Sequence, residues 1–131
     1  MRTTLNPLGE TEMEVLRHVW ALRRCTVREV HAAINADRAL AYTTVMTVMK
    51  NLAKKGYLQH EKDGAAYVYR PAQPAAEVQR SLLAGFVEKV FGGSPTAFVS
   101  ALADPETITD ADRARLEALV ASLPDTSSDD A

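Results

Sequence analysis

The sequence predicts a mainly α chain with one small β-hairpin: a winged helix-turn-helix domain followed by a helical dimerisation domain. Three observations predict it. Residues 10–55 carry three runs with apolar residues at helical spacing. Two short β-rich runs, YLQHE (57–61) and AYVYR (66–70), flank an Asp-Gly dipeptide, a strong hairpin signal. Beyond Pro71 and Pro74 the pattern turns helical again, with more large apolar residues than a lone helical appendage can bury. The expected organisation is a winged domain at 1–72, a dimerisation domain at 73–123 and a disordered acidic tail, PDTSSDDA, closing the chain at 124–131.

Taken in order, Glu10 to Leu22 places Met13, Val15, Leu16, Val19 and Trp20 on one broad apolar face, and Arg23, Arg24 and Cys25 break the run. Thr26-Val27-Arg28-Glu29 is a capping-box pattern opening a second helix at 27–35, with Val27, Val30 and Ile34 inward. NADRAL (35–40) is a short turn. A third helix runs over about 42–55 and ends at Gly56. The two strands follow, joined by a turn at 62–65. The second half predicts helices at 75–91, stopped by Gly92-Gly93, from Ser94-Pro95 to about Ala103, and from the Thr109-Asp110-Ala111-Asp112 cap to about Leu123.

Composition excludes several classes. With 47% apolar and 24% charged residues, the 131-residue chain has the makings of a folded core. No stretch approaches the ~18 uninterrupted apolar residues of a membrane span. MRTTLNPLGE has no apolar core or cleavage site, so neither secretion nor membrane insertion is expected, and the chain is expected in the cytoplasm. Cys25, the single cysteine, can bridge only across a dimer; a buried, inert thiol is the expected role. His18, His31 and His60 lack metal-ligand spacing. No nucleophile has an evident base, and there is no phosphate-cradling glycine loop. Neither an enzyme nor a bound cofactor or metal is expected. The net charge of −2 is uneven: residues 1–71 hold eleven Lys/Arg against seven Asp/Glu, and residues 72–131 four against ten. A basic first half suits a polyanionic partner.

The third helix carries the sharpest signal. At about 100° per residue, Val45, Val48, Met49 and Leu52 fall in a narrow arc. Thr43, Thr47, Lys50 and Lys54 lie opposite, with Thr44 and Asn51 on a flank. Solvated helix faces usually mix Glu with Lys, whereas this one has no acid and three mediocre helix formers in five positions. Threonine, asparagine and lysine can meet base edges and phosphates, and a carboxylate would be repelled there. Thr43 and Thr47 would enter the major groove. Lys50, Lys54 and Lys55 would follow near phosphates, and Arg28 and Lys62, the latter in the wing turn, would hold the backbone on either side.

AYTTVMTVMKNLAKKGYL (41–58) and KDGAAYVYRP (62–71) closely resemble the penicillinase-repressor family, the BlaI/MecI/CopY group of winged-helix repressors. The resemblance extends through LGETEMEVLRHVW and TVREVHAAI, and more weakly to residue 123. It implies a homodimer on a palindromic operator built around TACA/TGTA half-sites, controlling β-lactam resistance or related stress genes. The matching recognition positions are Tyr42, Thr43, Thr44, Thr47 and Lys50. It further implies release by a membrane sensor-protease that cuts the C-terminal domain. Where cleavable members carry an Asn-Phe bond, this chain aligns Ala101-Leu102. The cysteine-rich motif of the copper-sensing branch is missing.

The apolar residues of the second half point to a dimer as well. Leu82, Leu83, Phe86 and Val90, with Phe98, Leu102, Leu116 and Leu119, are expected to be buried mutually by two copies across an isologous interface. Two other readings compete: a winged helix used only for protein contacts, and a repressor that senses a small molecule.

Overall fold

In the computed structural model, which describes residues 8–122, six helices and one antiparallel hairpin follow each other in the expected order. Leu123 and the expected tail at 124–131 lie outside these residues.

Helix α1 (Glu10–Leu22) begins with the Gly9 amide donating to Glu12 Oε1 at 3.0 Å. It ends where Arg23 enters the left-handed region, φ 72°, unusual for a residue with a Cβ. Both backbone groups of Cys25 then bond to Tyr69, at 2.9 and 2.7 Å, pinning the α1–α2 connection to the hairpin.

The capping box of α2 (Val27–Asn35) is complete. The Glu29 amide donates to Thr26 Oγ1 at 3.2 Å, and the Thr26 amide donates to Glu29 Oε1 at 2.9 Å. Helix α3 spans Tyr42–Lys54. Gly56, at φ 93°, closes it in a Schellman arrangement: the Gly56 amide donates to Ala53 O and the Tyr57 amide to Leu52 O. Tyr57 and Leu52 are both buried, which supplies the hydrophobic contact that accompanies this cap.

The hairpin departs from expectation. Strands β1 (Leu58–Asp63) and β2 (Ala66–Pro71) are longer, and pairing of Asp63 with Ala66 leaves a two-residue turn, Gly64-Ala65. Lys62, expected in the turn, is a strand residue opposite Tyr67. Gly64 takes positive φ (66°) and Ala65 does not, which suits glycine at the first central position of a tight hairpin turn.

These elements enclose one core. Val15, Leu16 and Val19 of α1, Val30 and Ile34 of α2, and Val45, Met49 and Leu52 of α3 are fully buried, joined by Tyr57, Leu58 and Tyr69. The inward residues read from helical spacing are the ones buried, except that Met13, Trp20 and Val48 sit at the core's edge.

Helix α4 (Ala75–Phe91) stops at Gly92 and Gly93, both at positive φ. Helix α5 (Pro95–Leu102) has Ser94 as N-cap, accepting from the Ala97 amide at 3.0 Å, and Pro95 in its first turn. Helix α6 (Asp110–Ser122) starts with the Asp112 amide donating to Thr109 Oγ1 at 3.1 Å. The chain divides into two compact units at Gly85, within α4 rather than ahead of it at 72/73. Val78 and Leu82 explain the placement, because they pack on the winged core. In the second unit Phe86, Phe91 and Phe98 meet edge to face, with ring centroids 5.6 to 6.4 Å apart. No described helix is long and apolar enough to cross a membrane.

Candidate nucleic-acid interface

The burial of Val45, Met49 and Leu52 turns the opposite side of α3 outward. Tyr42, Thr43, Thr44, Thr47, Lys50 and Lys54 are all exposed, and Asn51 is half-buried on the flank. The helix contains no carboxylate. Lys50, Lys54, Arg28 and Lys62 make no ion pair among the described residues. Their charge is therefore available to a partner outside the chain. The N-cap, Ala41, supplies no side-chain acceptor to the first turn of α3.

Lys55 is different. Its Nζ donates to both oxygens of Glu12 at 2.9 Å, with each side chain largely buried. That hydrogen bond, with one from the Gly9 amide, holds the Glu12 carboxyl below its usual range. Lys55 thus ties the end of α3 to α1 and leaves the phosphate-facing group proposed for it. Arg38, in the turn before α3, is bound in the same way by Glu14 of α1 at 2.6 Å, which lowers the carboxyl's pKa.

The wing sorts its charges by face. Glu61 and Asp63 point to one side, where Arg70 lies 3.1 Å from Glu61, and Arg24 lies 3.8 Å from Glu61 and 3.7 Å from Asp63. Arginines thus offset the wing's carboxylates. Lys62 alternates to the other face, with Tyr67 as cross-strand partner and His60 beside Tyr67 at 5.4 Å. Tyr67 is 48% exposed. A turn spanning 62–65, as the sequence suggests, hides Tyr67 as a member of this face; the two-residue turn pairs it with Lys62.

His31 and Asn35, which no sequence signal singles out, organise the helix-turn-helix turn. His31 Nε2 donates to Leu40 O at 2.8 Å, which puts a hydrogen on that nitrogen. Asn35 Nδ2 donates to His31 O at 2.8 Å and to Leu40 O at 3.2 Å, and Asn35 Oδ1 accepts from the Leu40 amide at 3.3 Å. The His31 ring meets Tyr42 edge to face at 5.5 Å.

Elsewhere, Ala101 is exposed and Leu102 half-buried in the last turn of α5. Burial pushes the Cys25 thiol up to about 11, so it is protonated and unreactive at neutral pH. Among the described residues, no group of three or more His, Cys, Asp or Glu is placed to hold a metal. An open cleft of about 500 Å³ lies in the first unit along Trp20, Arg23 and residues 70–75, apart from α3.

Two helices joined by a pinned turn, a hairpin wing, and an outward helix face of hydroxyls and ammonium groups define a winged-helix DNA-binding protein. The chain belongs to the penicillinase repressor family, whose model matches residues 8–122. It is 36% identical to the transcriptional regulator BlaI of Mycobacterium tuberculosis over 78% of this chain and 87% of that one. It is 24% identical to the penicillinase repressor of Bacillus licheniformis over 70% and 72% of the two chains. The solution structure of the DNA-binding domain of the repressor BlaI superimposes with a TM-score of 0.51 at 25% identity, covering 58% of this chain and 93% of that domain. By name, the first of these relatives is a transcriptional regulator and the other two are repressors.

Proposed function

We propose that this chain is a homodimeric, cytoplasmic repressor that binds a palindromic operator and reads each TACA/TGTA-like half-site with the outer face of α3. The observation that carries this reading is the exposure of Thr43, Thr44, Thr47, Lys50 and Lys54 on a helix without acid, its two lysines in no ion pair among the described residues. Thr43 and Thr47 meet base edges, Thr44 and Tyr42 flank them, and Lys50 and Lys54 lie toward phosphate. Arg28 and Lys62 hold the backbone on either side. The uncapped first turn of α3 leaves amide donors for a phosphate as well.

Dimerisation is supported by what the second half leaves uncovered. Val78 is the one buried residue of α4, and α5 buries none. Leu83, Phe86, Val90, Val99 and Leu119 are about half exposed, between 47% and 59%. A second copy covers them, with Leu82, Phe98, Leu102 and Leu116 at the margins. Pairing raises the effective concentration of the second α3 at its half-site.

The regulated genes are those of β-lactam resistance or a related stress, and a membrane sensor-protease is the partner that relieves repression. Cutting at Ala101-Leu102 requires the last turn of α5 to unwind, since both residues are helical.

Thr47→Glu tests the reading. Thr47 is exposed, so the variant should fold and dimerise as the wild type does, yet lose specific operator binding by repulsion from phosphate. Full binding by this variant would favour a winged helix that serves protein contacts.

A further inference from the structure

Recognition helices work only if they enter the groove at a set angle, and here the usual device for fixing a helix start is lacking. Ala41, the N-cap of α3, has no side chain to bond the first turn. One residue earlier, both backbone groups of Leu40 are held from α2: its carbonyl accepts from His31 Nε2 at 2.8 Å and from Asn35 Nδ2 at 3.2 Å, and its amide donates to Asn35 Oδ1 at 3.3 Å. Asn35 is itself fixed by its bond to His31 O. One residue after Ala41, Tyr42 rests edge-on against the His31 ring. The helix start is thus gripped on both sides of its bare N-cap by one histidine and one asparagine.

We propose that His31, acting with Asn35, is a positioning residue for DNA recognition: it sets the entry angle of α3 and the pose of Tyr42 without touching DNA. The proposal rests on the reading of α3 as the DNA-reading helix and adds to it what determines its specificity. The lever is long. Lys50 lies about 12 Å along the helix from Tyr42, so a tilt of about 10° at the start displaces it by about 2 Å. Base-edge hydrogen bonds do not survive such a shift, while contacts to a continuous phosphate ribbon adjust to it. Loosening the clamp therefore removes discrimination more than affinity for DNA in general. His31 is half-buried and belongs to no core cluster, so its loss leaves the apolar core of Val30 and Ile34 in place.

The test compares wild type, His31→Ala and His31→Gln by fluorescence anisotropy on an operator duplex selected with the wild type and on a scrambled duplex, over a range of salt. The glutamine amide nitrogen stands near the position of His31 Nε2 and can donate to Leu40 O. His31→Ala should lose about tenfold or more in operator affinity while scrambled binding and the slope against salt stay unchanged. His31→Gln should regain most of that loss. If His31→Ala fails to fold, Asn35→Ala must show the same selective loss. The proposal is overturned if the alanine variant discriminates as well as the wild type. It is also overturned if both duplexes weaken together with a shallower salt slope, which would make His31 a phosphate contact. A wild type without preference between the duplexes strikes the parent reading instead, before any substitution is compared.

Discussion

Thr43 and Thr47 are modest helix formers on a solvent-facing surface, where Glu or Lys would stabilise the helix more. Their presence is explained by what they face, and this was legible from residue types alone. Partners in the fold were less so. Lys50, Lys54 and Lys55 look alike in sequence, but Glu12, forty-three residues away, claims Lys55. Lys55→Met should lower stability by about 1 kcal/mol in chemical denaturation and leave the salt dependence of DNA binding unchanged. Because the pair holds Glu12 below the ordinary carboxylate range, its contribution is present at neutral pH and lost as pH falls through that range, so variant and wild type should converge in acid. Cys25 carries the opposite pH signature. Its thiol is pushed up to about 11 from 9.0, so between those values the unfolded chain loses its proton first and stability falls as pH rises. Denaturation at pH 8 and pH 10.5 should show a drop that Cys25→Ala reduces, and thiol reagents should label the folded protein slowly.

Among the elements, the helices were the most legible because their signals are local. The Thr26–Glu29 box, the Gly56 stop and the Ser94-Pro95 start each lie within a few residues of the end they define. The hairpin was less so, since Asp63-Gly64 suggests a turn but its register depends on which residues pair across it. With Asp63 facing Ala66, Lys62 and Tyr67 share a face that the sequence alone did not assemble. Gly64 sits at φ 66° with no atom within 4 Å of an added Cβ, so its constraint is conformational. Gly64→Ala should cost about 1 kcal/mol through backbone strain alone and weaken specific DNA binding by loosening the wing, read from melting and anisotropy together. The clamp on Leu40 was not legible at all: nothing in the spacing of His31, Asn35 and Leu40 says that a turn returns the chain to meet them.

On the scale of the whole molecule, the two units divide the work between a core-forming half and a half rich in uncovered apolar surface. The excess of apolar residues in the second half was visible in the sequence. The division inside α4 was not, because it depends on Val78 and Leu82 packing on the winged core. Val90 is 56% exposed, so Val90→Glu tests pairing with little risk to the second unit. The wild type should be a dimer at micromolar concentration by light scattering, and the variant should dissociate at least about tenfold more readily. The central claim, one DNA-reading helix presented twice, is tested most directly by titrating the wild type at moderate salt with a dyad-symmetric duplex, a duplex carrying one half-site, and a scrambled duplex. The dyad should bind about 100-fold or more tightly than the half-site, and the half-site more tightly than the scramble. Equal affinity for all three would contradict it.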